Sequence, residues 1–414
     1  MRPKTYTYLH LNENLDPEDY VICDYRVTTD LPIEKAADAI AAEQSTGTWT
    51  GLTTLKEDVI DKYGARVTSI EGNRIRVAFP SDDFSIEIGG VPQILSVIAG
   101  NLFGLESLKK VRLEDVRFPK SILEQFPGPK HGVDGLRSVL KRKDKPLVGT
   151  IIKPKIGLSP KEMADYVYES GLGGLTNSKD DETLTNQTFC PIEERTVAIA
   201  ESLDRLEQEG IHMIHAINIS TSGHKILEVA DKVQSLGAKQ IMVDIITCGF
   251  AAVQALAEDP SVKVPIHVHR TMHGAMTRDR KHGIAMLPIA KLARMCGGDA
   301  LHIGTLGVGK MSGDVGGDLD NLRACIDDSV PYKTVMPVCS GGVYPGMVGK
   351  LVERSGLTVQ IQAGGAVAGH PGGIRKGAMA MSQAVDAAYA GIPADKYAET
   401  HEELKTALEK WGMK

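Results

Sequence analysis

One lysine stands directly against three acids in Lys179-Asp180-Asp181-Glu182, inside the stretch GGLTNSKDDETLTNQ at 173–187. A charge run this short is more often a solvated face. Yet Asp181 and Glu182 offer hard oxygen ligands, and two carboxylates suit a Mg2+ that keeps water and substrate oxygens in its other positions. An ammonium beside such a cation weakens the site unless the lysine becomes something anionic. Lys153 and Lys155, in KPK, are candidates for acid, base or phosphate ligand, since a lysine pKa moves readily with its surroundings. The bland alternative is a pair of lysines held by acids for structure alone. His267, His269 and His273 with Arg270 form a dense histidine group. Zinc suits such histidines, but carboxylates from another strand favour a harder metal. Ser340-Gly341-Gly342 and Gly364-Gly365 supply backbone N–H groups that only glycine lets a phosphate approach closely. The loop GTLGVGKMSGDVGG carries a single lysine, Lys310; its spacing is wrong for a P-loop, and a lid that brings Lys310 over bound substrate is the better reading.

These residues need a scaffold that brings them together. From about residue 146, β-branched runs alternate with helical periodicity: PLVGTIIKPK, GGLTNSKDD, IHMIHAINIS, QIMVDIIT, VPIHVHRT, DALHIGT, KTVMPVCSGG and TVQIQAGG. Helical stretches such as SPKEMADYVYES, IEERTVAIAESLDRLEQEG and RKGAMAMSQAVDAAYAG follow them. Eight βα units closing on themselves make a (β/α)8 TIM barrel, with an open doubly wound sheet as the competing α/β architecture. In a barrel the site forms at the C-terminal strand ends, and there the polar residues collect: KPK, KDDE, HVHR, His302, CSGG and AGG. Residues two apart on a strand share a face, which pairs Lys153 with Lys155, Lys179 with Asp181, and His267 with His269. The first part of the chain reads βαββαβ, a ferredoxin-like α+β domain, with a hairpin around Glu71-Gly72-Asn73. The expected domains are 1–125 and a catalytic barrel over 136–414, joined by the Gly/Pro-rich EQFPGPKHGVDG at 124–135.

Composition narrows the partners. Of the 414 residues 42% are hydrophobic and 24% charged, and no apolar run near the roughly 18 residues of a membrane span is expected. The net charge of -6 gives no electrostatic reason for nucleic acid binding. MRPKTYTYLHLNENLDPEDY lacks the features of a secretory signal, so a cytoplasmic location is expected. The six cysteines include no CxxC pair, which predicts reduced, mostly buried thiols.

GTIIKPKIGL, GGLTNSKDDE, HVHRTMHGAM, HIGT with a glycine-flanked Lys310, CSGG and QAGGAVAGHP resemble, in order and spacing, the ribulose-bisphosphate carboxylase (RuBisCO) large-subunit family; EQSTGTWT and AGNLFG extend the likeness to the N-terminal domain. The compact length is most similar to archaeal form III members. The resemblance implies Mg2+-dependent carboxylation of ribulose 1,5-bisphosphate, with an oxygenase side reaction. It implies that CO2 converts Lys179 to a carbamate that joins Asp181 and Glu182 on the metal and serves as base. Lys153, supported by Lys155, would move protons at the reacting carbons, His269 would handle a hydroxyl proton, and Lys310 would close over the site. Glu43 and Asn101 would come from a neighbouring subunit, which implies a homodimer or a higher oligomer. One phosphate position matches Thr48, Trp49, Gly342, Gly364 and Gly365, beside Gly341; the other matches Arg270, His302 and Ser340. Thr176 stands where the family's motif has an acid, and Ser312 replaces an acid after Lys310. A RuBisCO-like enolase or isomerase, a silent scaffold protein and a lysine Schiff-base aldolase are the competing functions.

Overall fold

The computed structural model describes residues 7–48, 50–309 and 315–414. It divides into two compact units: Met1–Phe126 with Met272–Leu292 and Ser329–Pro331, and Pro127–Thr271 with Ala293–Asp328 and Tyr332–Lys414.

The first unit is built on strands β1 (Tyr20–Thr28), β2 (Arg66–Glu71), β3 (Arg74–Pro80) and β4 (Lys110–Arg117), in the order β4-β1-β3-β2 and all antiparallel. Helices Ile33–Glu43 and Ile86–Ala99 complete the βαββαβ order. Strict alternation buries Val21, Cys23, Tyr25 and Val27 of β1, and the Tyr25 hydroxyl donates to the Ile98 carbonyl at 2.6 Å. That bond ties sheet to helix. A fifth strand, β10 (Gly283–Ile284), joins β4 in parallel register and comes from the segment Met272–Leu292, which the βα alternation gave no reason to expect. Arg112 of β4 donates to the carbonyls of Thr277 and Asp279, and Lys110 pairs with Asp279 at 2.7 Å, so the added strand is held by charge as well as by its ladder.

The expectation of no membrane-length apolar run needs one amendment. Ile86–Gly104, with mean hydropathy 1.4, passes that test by length and composition. Here it is broken at Gly90 and buries Ile86, Val91, Ile94 and Ile98 in the core of its unit.

The second unit is a closed parallel barrel of β5 (Leu147–Ile151), β6 (Asn177–Lys179), β7 (Ile214–Asn218), β8 (Gln240–Asp244), β9 (Ile266–His269), β11 (Ala300–Gly304), β12 (Met336–Cys339) and β13 (Gln360–Gln362). Each matches one of the eight β-branched runs. The barrel's N-terminal end is closed by the helix Gly132–Val139, whose Val133 and Leu136, with Leu140 just past its end, pack with Leu147, Ile214, Ala300, Met336 and Val338. This helix begins inside the Gly/Pro-rich stretch expected to be a plain connection. Full burial of one such leucine stabilises by about 1.5–3 kcal/mol.

Asp299 fixes this closure. One carboxylate oxygen accepts from the backbone N–H groups of His131 and Gly132, both at 2.7 Å, and the other from Ile266 at 2.8 Å. Asp299→Ala removes the acceptor of three backbone donors, two of them fully buried, at about 1–3 kcal/mol for each buried one. The variant is expected to lose roughly 3 kcal/mol or more, read as a lower denaturant midpoint; an unchanged midpoint would show that the closing helix is held by its apolar face alone.

Candidate active site

The site is organised by the alternation of β6 and the turn after it. Lys179 and Asp181 turn to the mouth of the barrel, whereas Ser178 and Asp180 turn to the helical layer. Asp180 accepts from Arg195 Nε at 3.1 Å, from His215 Nε2 at 3.0 Å and from the Asn218 N–H at 2.9 Å. Ser178 Oγ meets His215 Nδ1 at 2.7 Å on the same side. The acidic triplet is therefore split: Asp180 belongs to a buried structural network, and only Asp181 and Glu182 face the mouth. Thr176 shares the face of Ser178 and Asp180; its hydroxyl accepts from the Val148 N–H at 3.1 Å, so an acid missing there leaves the Lys179 face unchanged.

Lys179 is only 1% exposed. Its Nζ donates to the Asp180 carbonyl at 2.6 Å and lies 3.9 Å from Glu182 Oε2. Burial pushes its pKa down, and the surrounding carboxylates of Glu182, Asp181 and Asp244 only partly offset this. Lys153 Nζ reaches Asp181 Oδ2 at 2.6 Å, and the more exposed Lys155 lies 3.6 Å from Glu182 Oε1 and 4.0 Å from Asp181 Oδ1. Burial pushes the Asp181 carboxyl up, but Lys153 and the Thr183 donors outweigh it and hold it below the usual range. Glu182 is lowered against burial mainly by Lys179 and His269. Three lysines and two carboxylates thus share one small volume.

His269 completes this group. Its Nδ1 lies 2.6 Å from Asp244 Oδ1, which makes Nδ1–H the donor and leaves Nε2 facing Glu182 Oε2 at 3.9 Å. Burial and then Lys179 lower its pKa, so the ring is neutral and Nε2 is free to take a proton. His302 lies beside it, ring centroids 4.7 Å apart, and its Nδ1 is 2.7 Å from Ser340 Oγ. Arg270 is depressed to about 10 by burial, with Asp318 opposing, and keeps its charge at neutral pH. Gly341 and Gly342, at φ 114° and 77°, take a backbone that side chains rarely adopt, directly after Ser340. At Gly364 a Cβ would meet the Ile151 carbonyl at 3.0 Å and Lys153 Cε at 3.1 Å, so glycine there gives the lysine its path. Gly365 opens the short helix Gly365–Ala368.

The structure brings Lys153, Lys155, Lys179, Asp181, Glu182 and His269 into one constellation and sets His302 and Ser340 alongside. Glu43 ends the helix Ile33–Glu43, Thr48 follows it, and Asn101 is exposed at the start of the short 3-10 helix Asn101–Gly104; these three belong to the first unit. His273 also belongs to that unit and bonds Thr277 at 2.9 Å. Trp49, Lys310 and Ser312 lie outside the described residues. Two residues escaped the sequence reading although they sit at strand ends like the rest. Asp244, last in β8, sets His269. Asn218, last in β7, donates to the carbonyls of Glu182 and Leu184 at 3.3 and 2.9 Å and shapes the turn that carries the acids. A separate open cleft of about 810 Å³ between the helices Ile192–Gln208 and Ile226–Ser235 is crossed by the Lys232–Glu193 pair and is lined by none of these lysines.

As to metal, no group of three His, Cys, Asp or Glu side chains among the described residues is placed to hold one. Asp181 and Glu182 supply two hard ligands, and the nearest source of a third is Lys179, on condition that it carries an oxygen anion. A buried amine with its pKa pushed down is the form that reacts with CO2, so the residues fit a metal held by two carboxylates and a lysine carbamate.

Comparison with known proteins bears on the whole chain. Residues 8–122 match the family model for the ribulose bisphosphate carboxylase large chain, N-terminal domain, and residues 132–411 match that for its catalytic domain. A ribulose bisphosphate carboxylase of Methanocaldococcus jannaschii is 40% identical, over 98% of this chain and 99% of the relative. The crystal structure of an octameric ribulose-1,5-bisphosphate carboxylase/oxygenase from Pyrococcus horikoshii superposes with TM-score 0.92 at 37% identity, covering 100% of this chain and 99% of that one. A rubisco-like protein from Alicyclobacillus acidocaldarius superposes with TM-score 0.84 at 31% identity, covering 96% and 100%. With both of its units matched, and with relatives aligned from end to end, this chain belongs to the ribulose bisphosphate carboxylase large-chain family.

Proposed function

We propose that the protein carboxylates ribulose 1,5-bisphosphate to two molecules of 3-phosphoglycerate, with oxygenation as a side reaction. The observation that carries this reading is Lys179: a buried amine, its pKa pushed down, with Asp181 and Glu182 beside it. As a carbamate it would join these carboxylates in holding Mg2+, which when bound would polarise the substrate's oxygens and favour the enediolate. Lys179, carrying that carbamate, would be the base for the C3 proton. Once CO2 has added at C2 and water at C3, cleavage of the C2–C3 bond leaves its electron pair on C2, to which Lys153, paired with Asp181, returns a proton; Lys155 keeps Lys153 in place through the shared carboxylates. His269, neutral and fixed by Asp244, takes the proton from a substrate hydroxyl.

Both ends of the substrate find donors. Gly341, Gly342, Gly364 and Gly365, with Thr48 and Trp49, take one phosphate; Arg270, His302 and Ser340 take the other. A charge-assisted hydrogen bond of this kind contributes about 1.5–3 kcal/mol. Glu43 and Asn101 complete the site of a second copy of the chain, and Lys310 closes over it, in a homodimer or a larger homo-oligomer. Six free cysteines accord with a cytoplasmic protein.

The test is incorporation of labelled CO2 into 3-phosphoglycerate by purified protein with Mg2+ and ribulose bisphosphate, without oxygen, with Lys179→Ala as control. Label from the wild type alone is the expected result. The likeness to a rubisco-like protein keeps a second reading in play, an enolase or isomerase that never adds CO2. Enolisation of a sugar phosphate without label would select it. The second phosphate set favours the carboxylase, since a monophosphate has no use for Arg270 and Ser340 together.

A further inference from the structure

His267 lies inside the barrel and has no place in the chemistry above. It is wholly buried, and its ring stands nearly perpendicular to that of His302, at 77° with centroids 4.9 Å apart. The two Nε2 atoms are 2.8 Å apart. At that distance one nitrogen carries the proton and the other accepts it. Burial holds both rings neutral, so each has one N–H and one bare nitrogen.

Only two arrangements satisfy this pair, and they differ at the far nitrogens. If His302 donates, the proton of His267 sits on Nδ1, which is buried and has no hydrogen-bond partner among the described residues. If His267 donates, its Nδ1 is a bare acceptor and His302 carries its proton on Nδ1, 2.7 Å from Ser340 Oγ. A buried N–H without a partner is rarer and costlier than an unfilled acceptor, which selects the second arrangement. The choice matters at Ser340. When His302 Nδ1–H donates to Ser340 Oγ, the serine's own O–H is free to point at an anion. In the reverse arrangement the serine proton is spent on the His302 lone pair, and this edge offers an anion no donor.

We propose that His267 is a positioning residue that locks His302 in its Nδ1–H tautomer, so that His302 donates to Ser340 Oγ and leaves the Ser340 O–H free to donate toward an anionic oxygen of the substrate. This rests on the reading of Ser340 and His302 as a phosphate site, and deepens it.

The direct test is nitrogen NMR of the wild-type protein labelled with 15N-histidine, the His302 signals assigned by their loss in His302→Gln. The expected spectrum shows His302 protonated on Nδ1 and His267 bare on Nδ1. Protonation of His302 on Nε2 would overturn the proposal. The kinetic test compares His267→Leu with His267→Gln, whose amide can still donate to His302. For the leucine variant KM for ribulose bisphosphate is expected to rise about tenfold, the worth of one charge-assisted hydrogen bond, while kcat stays within about threefold. Glutamine is expected to restore most of the KM. Equal KM in wild type, leucine and glutamine variants would also overturn it. If the wild type fixes no CO2, the carboxylase reading fails alone; the tautomer, and a weaker affinity of His267→Leu for inorganic phosphate, still decide this one.

Discussion

Replacing Lys179 with methionine is expected to reduce CO2 incorporation by at least about 10³-fold, because one substitution removes both the proposed base and a proposed metal ligand, and each such role contributes about 10²-fold or more. The same variant is expected to melt no lower than the wild type. Lys179 is buried, its ammonium finds one acceptor within hydrogen-bond distance among the described residues, and Asp181 and Glu182 keep Lys153 and Lys155 as partners without it. The sign follows from its lowered pKa. Below the folded pKa both states are protonated and the burial cost is borne in full. Between the folded value and that of the unfolded chain, the unfolded state binds more protons, so stability rises with pH; above about 10.4 the penalty is gone. Methionine fills similar volume and carries no such cost. Activity and stability should therefore part company in this variant, and a large fall in melting temperature would show that the lysine holds the fold rather than the chemistry. The same lowered pKa predicts how the wild type activates. Carbamylation needs the neutral amine, so the extent of activation on incubation with CO2 and Mg2+ should rise with pH and level off below the pKa of a free lysine. Activation still climbing at the free-lysine value would remove the argument that burial prepares this amine.

What could be read without coordinates divides by distance along the chain. The eight barrel strands were legible because each is a short β-branched run followed by a helix, and the mouth was legible because KPK, KDDE, HVHR and CSGG all fall at the same end of those runs. Alternation also placed Lys179 and Asp181 on one face. It holds equally for Asp180, whose partners could not be found that way: Arg195 and His215 lie 15 and 35 residues on and meet it only through barrel closure. Asp244, 25 residues before His269, is hidden for the same reason. The β10 strand is two residues long, too short for any period to show, and it leaves the barrel's sequence to join the other unit's sheet. The closing helix Gly132–Val139 starts at a glycine with φ 63° in a Gly/Pro-rich stretch, where composition argues for a loop and only the apolar surface of Val133, Leu136 and Leu140 argues otherwise.

Asp180→Ala should be the most destabilising change in the neighbourhood of the site, although Asp180 touches no substrate in the proposed mechanism. Both Asp180 and Arg195 are wholly buried. Arg195 keeps the carbonyls of Cys190 and Thr185, each at 2.9 Å, but loses the carboxylate it pairs with, while His215 Nε2 and the Asn218 N–H lose their acceptor. Breaking a buried pair from one side costs about 3–5 kcal/mol, because the remaining charge is left uncompensated. Burial pushes the Asp180 carboxyl up, yet Arg195 and His215 prevail and hold it below its usual value. The stabilisation is then fully present above the unfolded value of about 3.9 and disappears as pH falls through the lower folded value. The gap in denaturant midpoint between wild type and Asp180→Ala should be wide at pH 7 and narrow toward pH 3. A gap that stayed constant with pH would assign the loss to packing instead of charge. The substitution should also lower kcat at temperatures where the variant is still folded, since Asp180 lies between Lys179 and Asp181 and anchors the turn that aims them; a displacement of about 1 Å there is worth about 10²-fold in rate. The two adjacent acids thus divide the work, Asp180 by holding the turn to the helices and Asp181 by facing the mouth, and that division is what places a buried amine within reach of two carboxylates.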